Sequence, residues 1–360
     1  MITVTDRREV IVVGGGQAGL AVGYFLAQQG RHFTILDAAS TPAAAWRARW
    51  DSLQLFTPVR YDSLPGRAFP GDPDAYPGRD DVVAYLTDYA RDCELPVELD
   101  STVRAVRPCD DGYLVELDDR TFEAGQVVIA TGPFQVQRVP ELADRLDPGV
   151  LQLHSTEYRR PQDVPGGPVL VVGGGNTGFQ IAEELARSHE VHLSIGSRQT
   201  PLPQRILGRD LFRYLESTGL MGKTAASRIG QRLRHRDTLI GSSPRAARRR
   251  HGIRLCGRTV DASGSEVRFD DGSRLTPSAI IWATGFALDH SMLHVPVFDD
   301  DGRLVHRRGV TTSPGLYFVG LPWQHTRGSA LLGWVKDDAE HIAQRIATSR
   351  RDRQTQLVPS

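Results

Sequence analysis

Residues 12–20 read VVGGGQAGL and residues 171–179 read VVGGGNTGF. Both stretches carry glycines in G-x-G-x-x-G spacing: Gly14, Gly16 and Gly19 in the first, Gly173, Gly175 and Gly178 in the second. Each follows an apolar run, 10–13 or 169–172, that reads as a buried parallel strand, and each opens a segment of helical character, 17–29 or 176–188. In that context the first glycine allows a tight turn, the second lets the backbone approach a pyrophosphate, and the third lets helix and strand pack closely. The helix N-terminus offers free N–H groups and the positive end of its dipole to the phosphates. Two such units predict two dinucleotides and an internal relay, one delivering a hydride and the other, resident, receiving it.

The ends of the second strands separate the two cofactors. The first unit continues RHFTILDAAS, so that Asp37 ends a strand at 33–36. A carboxylate there accepts the hydroxyls of an adenosine ribose and repels a 2′-phosphate, which suits FAD or NAD. The second unit continues VHLSIGSRQT, which puts Ser197 and Arg198 at the matching point with no acid. A guanidinium pairs with a 2′-phosphate in bidentate geometry, which suits NADPH.

A length of 360 residues accommodates two domains. The formal net charge of zero makes no case for a nucleic-acid partner. Cys93, Cys109 and Cys256 are scattered, with no C-x-x-C pair, which fits a reducing cytoplasm. MITVTDRREV leads straight into the first strand and leaves no room for a signal peptide, and no apolar run is long enough to span a bilayer. A cytoplasmic protein without a membrane partner is therefore expected. There is no H-E-x-x-H metal motif and no G-x-S-x-G nucleophile motif, and no metal is predicted.

Between these landmarks, residues 40–78 are irregular and rich in Pro, Gly and aromatics, and a loop this long is usually functional. Residues 80–93 carry Val82, Val83, Leu86, Tyr89 and Ala90 on one helical face. Strands are expected near 103–107, 113–118, 126–129, 253–256, 266–270 and 280–283, with LYFVG at 316–320 and an amphipathic helix after Gly328. The arginines of 201–250, among them Arg232, Arg234, Arg236, Arg245, Arg248, Arg249 and Arg250, read as a solvated face. Two Ala-Thr-Gly segments, 130–132 and 283–285, end the two nucleotide units and mark the crossings between domains. The expected architecture is α/β, with two Rossmann-like dinucleotide-binding domains. An FAD domain at 1–160 and 281–350 receives an inserted NADPH domain at 161–280, and 351–360 form a tail.

The ordered set GGGQAGL, WRARWDSLQLFTPVRYDSLPG, ATGPF, LHSTEY, GGGNTGFQIAEEL, GSR, WATGF and GLYFVGLPWQHTRGSALLGWVKDDA resembles the flavin-containing monooxygenases, the class B single-component flavoproteins, most closely their bacterial and YUCCA-like branch. The resemblance covers roughly residues 8–347. It implies FAD on Gly14, Gly16, Gly19 and Asp37, and NADPH on Gly173, Gly175, Gly178, Ser197 and Arg198. Trp46, Thr131, Gly132, Asn176, Thr284, Gly285, Gly320 and Gln324 join the expected cofactor-binding set. The family signature F-x-G-x-x-x-H-x-x-x-Y keeps its second half as His154 and Tyr158, while Pro148 and Val150 replace its Phe and Gly. His154 and Tyr158 are read as residues that pin the hinge between domains. Related Baeyer–Villiger enzymes carry Trp where this chain has Tyr158, which favours heteroatom oxygenation. The family's Gly-Asp after the late strand is Gly320-Leu321 here, so that a backbone amide or Gln324 must hold the ribityl chain. Phe56 and Thr57 stand where the animal enzymes place an Asn.

The resemblance implies reduction of FAD by NADPH, reaction of the reduced flavin with O₂ to a C4a-hydroperoxide, and transfer of one oxygen to an amine nitrogen or sulfur of a small molecule. No catalytic side chain is then required, because the flavin carries the chemistry. Other readings are an NADPH oxidase or flavin-linked reductase without oxygen transfer, Baeyer–Villiger oxygenation, and a redox sensor. A pyridine nucleotide–disulfide reductase would need the cysteine pair that the chain lacks. The expected partners are a small-molecule substrate and O₂, with a homodimer open.

Overall fold

The computed structural model describes residues 4–234 and 238–356. Its first half is built on β1 (Val4–Val13), α1 (Gln17–Gln28) and β2 (Phe33–Leu36). β1 pairs in parallel with β2, Val10 opposite Phe33 and Val13 opposite Leu36. On its other side β1 pairs in parallel with β6 (Thr121–Ile129), Val13 opposite Ile129. Val10, Ile11 and Val12 are fully buried, which explains why this stretch is continuously apolar rather than alternating: both faces of the sheet are covered. α1, the helix Arg79–Asp92 and the C-terminal helix Val335–Gln356 cover one face. The hairpin β4 (Ala105–Cys109) and β5 (Gly112–Glu116), with Leu293, Val295 and Val297, covers the other. The short β3 (Val97–Glu98) and the strand Leu316–Phe318 extend the sheet on opposite sides.

The second half repeats the plan. A five-stranded, fully parallel sheet runs in the order Arg254–Cys256, β10 (Glu190–Ser194), β9 (Pro168–Val172), Ala279–Trp282 and β8 (Leu151–His154). The helix Asn176–Leu185 packs on one face. An antiparallel meander over Thr259–Ser263, Glu266–Phe269 and Arg274–Leu275 packs on the other. In each half the glycine-bearing strand lies between its β-α-β partner and the strand that ends in Ala-Thr-Gly.

The chain crosses between the sheets twice, just after each Ala-Thr-Gly. The two crossings pair with one another: β7 (Val136–Gln137) is antiparallel to Phe286–Ala287. Two boundaries differ from expectation. β8 belongs to the second sheet, with Leu151 opposite Ala279 and His154 opposite Trp282, so the inserted unit begins ahead of residue 151 rather than at 161. LQLH is a half-buried edge strand and lacks the apolar run that marks the central ones. Residues 351–356 continue the C-terminal helix instead of forming a tail, while 357–360 lie outside the described residues. That helix buries Val335, Ala339, Ile342, Ala343 and Ile346, a stripe at helical spacing against α1.

The long loop 40–78 ties the halves together. Trp50 is buried in the core of the second half beside Tyr158, while Leu64 and Phe69 are buried in the first. Arg159 donates to the carbonyl oxygens of Arg47 and Arg49 at 2.5 and 2.6 Å. Arg232, Arg234, Arg245, Arg248, Arg249 and Arg250 are exposed, as a solvated face requires, and Arg236 lies outside the described residues.

Candidate functional site

The first fingerprint folds into an open cradle. Gly14 has φ +109°, and a Cβ there would stand 2.6 Å from the carbonyl oxygen of Ala130. A Cβ on Gly19 would stand 1.9 Å from the carbonyl oxygen of Gly14, so the helix packs on the strand only because this residue has no side chain. Gly16 is different: a Cβ there meets nothing within 4 Å. Gly16 also has extended backbone, φ −78°, and caps α1 without a side-chain acceptor for the first helical N–H groups. Those donors and that open space fit a pyrophosphate.

The second fingerprint repeats each contact. Gly173 has φ +134° with Ala283 O 2.2 Å from its notional Cβ, Gly178 stands 1.9 Å from Gly173 O on the same test, and Gly175 faces open space. The residues of both halves therefore fit a dinucleotide by the same geometry.

The acid at the end of β2 is held by backbone. Gly15 N–H donates to Asp37 Oδ2 at 2.6 Å and Ala39 N–H to Oδ1 at 2.8 Å, which presents the carboxylate at the cradle's edge. In the second half Gln199 occupies the corresponding place, its Nε2 2.5 Å from a Cβ built on Gly174. Ser197 and Arg198 are exposed on the loop after β10. Arg258 reaches the same loop: its guanidinium lies 3.4 Å from a Cβ built on Gly196, and it donates to the Gly196 carbonyl at 2.5 Å. The sequence carries no signal for Arg258, because it follows a different strand about sixty residues later.

The remaining expected residues divide. Gly320, φ +89°, abuts Ala18 at the start of α1, with 2.7 Å from its notional Cβ to the Ala18 Cβ. Gln17, absent from the expected set although it follows Gly16 directly, donates to the carbonyl of Ala330 at 3.0 Å and so ties the late loop to the cradle. Gly132 and Gly285 adopt φ of +70° and +83° at the crossings. Thr131 accepts from Gln135 at 2.6 Å, and Thr284 donates to the carbonyl of Arg138. Trp46 is half-buried against the first core. The Asn176 side chain is committed to the strand Thr238–Ile240, donating to Thr238 O at 3.2 Å and accepting from Ile240 N at 2.9 Å, which leaves its backbone N–H for a phosphate. Gln324 is buried, and its Nε2, beside Gly309, has no hydrogen-bond partner.

His154 and Tyr158 are both buried, His154 beside the crossing at Gly285 and Tyr158 in the core of the second half. His154 Nε2 donates to the carbonyl of Gly285 at 3.2 Å, and its Nδ1 then accepts from Thr156 at 2.9 Å. The backbone N–H of Thr156 also donates to Nδ1, so that nitrogen carries no proton and the ring is a neutral clasp across the crossing; burial lowers its pKa in the same direction. The Tyr158 hydroxyl donates to Glu184 at 2.8 Å, and burial and that carboxylate raise its pKa. Arg49, its pKa lowered to about 10 by burial, lies over Phe134 and Phe286 at 4.6 and 5.2 Å. Phe56, Tyr61, Phe212 and Trp334 form an aromatic wall beyond the late loop, with Phe56 stacked on Phe212 and Tyr61 on Trp334.

Among the described residues no group of His, Cys, Asp and Glu is placed to hold a metal, and no helix is long and apolar enough to cross a membrane. Cys93, Cys109 and Cys256 are all free thiols on separate elements.

Residues 11–205 match the family described as pyridine nucleotide-disulphide oxidoreductase. The chain is 41% identical over 336 residues to a CzcO-like oxidoreductase of Geobacillus kaustophilus, covering 93% of this chain and 97% of that one. It is 29% identical to the indole-3-pyruvate monooxygenase YUCCA1 of Oryza sativa, covering 98% of this chain and 96% of that one. Among solved structures it resembles the flavin-containing monooxygenase of Stenotrophomonas maltophilia, with a TM-score of 0.80, 29% identity, and coverage of 96% of this chain and 99% of that one. The family's nucleotide layout is thus present without the cysteine pair that disulfide chemistry uses. The chain belongs to the pyridine nucleotide-disulphide oxidoreductase family, in the flavin monooxygenase branch whose cofactors are FAD and NADPH.

Proposed function

We propose that this enzyme transfers one atom of O₂ to an amine nitrogen or sulfur of a small molecule at the expense of NADPH. The observation that carries the reading is a pair of matched nucleotide cradles on either side of one crossing ribbon, with no cysteine pair between them to divert electrons to a disulfide. When bound, the flavin supplies hydride acceptance and activation of O₂. The chain binds, orients and excludes water. Gly14, Gly16, Gly19 and Asp37 hold FAD, and Gly320 with Gln17 sets the late loop over it. Gly173, Gly175 and Gly178 hold the NADPH pyrophosphate. His154 keeps the crossings together without moving a proton. The aromatic wall keeps water from the reacting face. The free thiols support a cytoplasmic setting.

The test is a panel of amines and thioethers scored for NADPH consumed, peroxide released and product mass. A productive compound should gain one oxygen atom with NADPH use and product near one to one. If all NADPH appears as peroxide across the panel, the enzyme is an oxidase and the oxygen-transfer reading fails.

Arg198 supplies the nucleotide preference. A charge-assisted contact to the 2′-phosphate contributes about 1.5–3 kcal/mol, so Arg198→Ala should raise the KM for NADPH about tenfold or more. The KM for NADH should move less than about twofold. Equal losses for both nucleotides would make Arg198 a structural residue.

A further inference from the structure

A cavity of about 140 Å³ lies beside the aromatic wall, and none of the cofactor assignments uses it. Arg60, Arg205, Arg209 and Arg213 line it, against two carboxylates, Asp74 and Asp210. Both acids are engaged. Asp210 accepts from Tyr76 Oη at 2.7 Å, Gln204 Nε2 at 2.9 Å and Phe212 N at 2.7 Å. Asp74 pairs with Arg60 at 2.5 Å. The side chains of Arg209 and Arg213, both exposed, make no hydrogen bond or ion pair with the described residues. The space thus presents two uncommitted guanidinium groups, a geometry suited to a carboxylate.

Its position points to what would bring that carboxylate. One wall is the hairpin of Arg205–Ile206 and Arg209–Asp210, secured by Gln204 Nε2 donating to Phe56 O at 2.8 Å. Tyr61 lines the cavity and stacks on Trp334, with ring centroids 5.5 Å apart. Trp334 packs against Gly328, and the same short turn, Arg327–Ala330, receives the bond from Gln17 at the flavin cradle. A chain of contacts through Tyr61 and Trp334 thus links the basic cavity to the turn that meets the FAD fingerprint. A molecule anionic at one end and apolar along its body would match the guanidinium groups at one end of these contacts and the stacked rings beside them.

We propose that this cavity holds the carboxylate of an amphiphilic substrate whose apolar body lies against Tyr61 and Trp334. That the body carries the oxygenated atom rests on the monooxygenase reading; the anion site does not.

The test compares (phenylthio)acetate with its neutral counterpart (phenylthio)acetamide on the FAD-loaded enzyme. The acid should exceed the amide in kcat/KM by about tenfold or more, mostly through KM. In Arg209→Gln/Arg213→Gln that ratio should fall to within about twofold. Binding is measured separately, by perturbation of the flavin spectrum without NADPH, and should show the same preference and the same loss. If neither compound is oxygenated but acid binding still requires the two arginines, the anion site stands and oxygen transfer fails. If both are oxygenated with equal constants that the variant leaves equal, oxygen transfer stands and the site is overturned. Flavin content and the rate of flavin reduction by NADPH are followed in parallel. A matching fall in the reduction rate would assign the arginines to the nucleotide and overturn the proposal. Inorganic phosphate should compete with the acid and leave the amide untouched. A phosphate effect on amide turnover would make the cavity a regulatory anion site and overturn the substrate assignment.

Discussion

Gly16→Val is expected to give a folded, colourless protein. The position has φ −78° and open space where the new Cβ would stand, so neither backbone strain nor a clash with protein opposes folding. The same branched side chain occupies the approach to the first N–H groups of α1, where the pyrophosphate must come close. Losing two charge-assisted hydrogen bonds of about 1.5–3 kcal/mol each weakens FAD binding by more than a hundredfold. The measurement is absorbance in the flavin band per mole of protein, with circular dichroism to verify the fold. Normal flavin content in the variant would show that the phosphates do not approach at Gly16. The contrast is Gly19→Ala, whose Cβ would stand 1.9 Å from Gly14 O and which should damage folding itself. By the repeat, Gly175→Val should remain yellow but lose reduction by NADPH, because Gly175 faces the same open space in the second cradle.

The second large effect concerns Asp62, a fully buried carboxyl in the loop between the two halves. Thr57 donates to its Oδ1 at 2.6 Å, while Oδ2 has no partner. Burial pushes its pKa up to about 8, against the opposing effect of the Thr57 bond. In the unfolded chain the same group titrates near 4, as an ordinary aspartate does. Between those values the folded state holds a proton that the unfolded state has released. Stability from this group is therefore complete below about pH 4 and falls as pH rises toward 8, by an order of a few kcal/mol. Asp62→Asn keeps the shape and removes the charge, so it should flatten that fall and raise Tm at pH 8 by several degrees relative to the unsubstituted protein. Thermal melts of both proteins at pH 5, 6.5 and 8 check this. Parallel curves would mean that Asp62 is ionised in the folded state.

Much of the backbone geometry of the two cradles is legible in the chain because it is local. The six fingerprint glycines, Asp37 and the two Ala-Thr-Gly segments lie within or next to single β-α-β units, where glycine spacing and an apolar run determine the backbone path. His154 and Tyr158 stand out in the chain by their H-x-x-x-Y spacing, but only the structure shows that His154 bonds to Gly285 at a crossing while Tyr158 bonds to Glu184 within the second half. Less legible was β8. Its four residues carry only a weak pattern, and its place beside Ala279–Trp282 depends on a partner more than a hundred residues away.

By itself, the sequence determined two Rossmann-like halves, the FAD and NADPH cofactors and the absence of a redox cysteine pair. These follow from short-range sterics and residue chemistry. The tertiary structure alone decided that Arg258 reaches the loop of Arg198, that Gln199 replaces an acid beside Gly174, and that Asp62 loses its water. It also decided that Arg209 and Arg213 face one cavity with Arg60. Each of those depends on long-range packing of loops whose residue types, Arg, Gln and Asp, are ordinary on any surface. Their chemistry changes only when folding sets their distance from one another and from solvent.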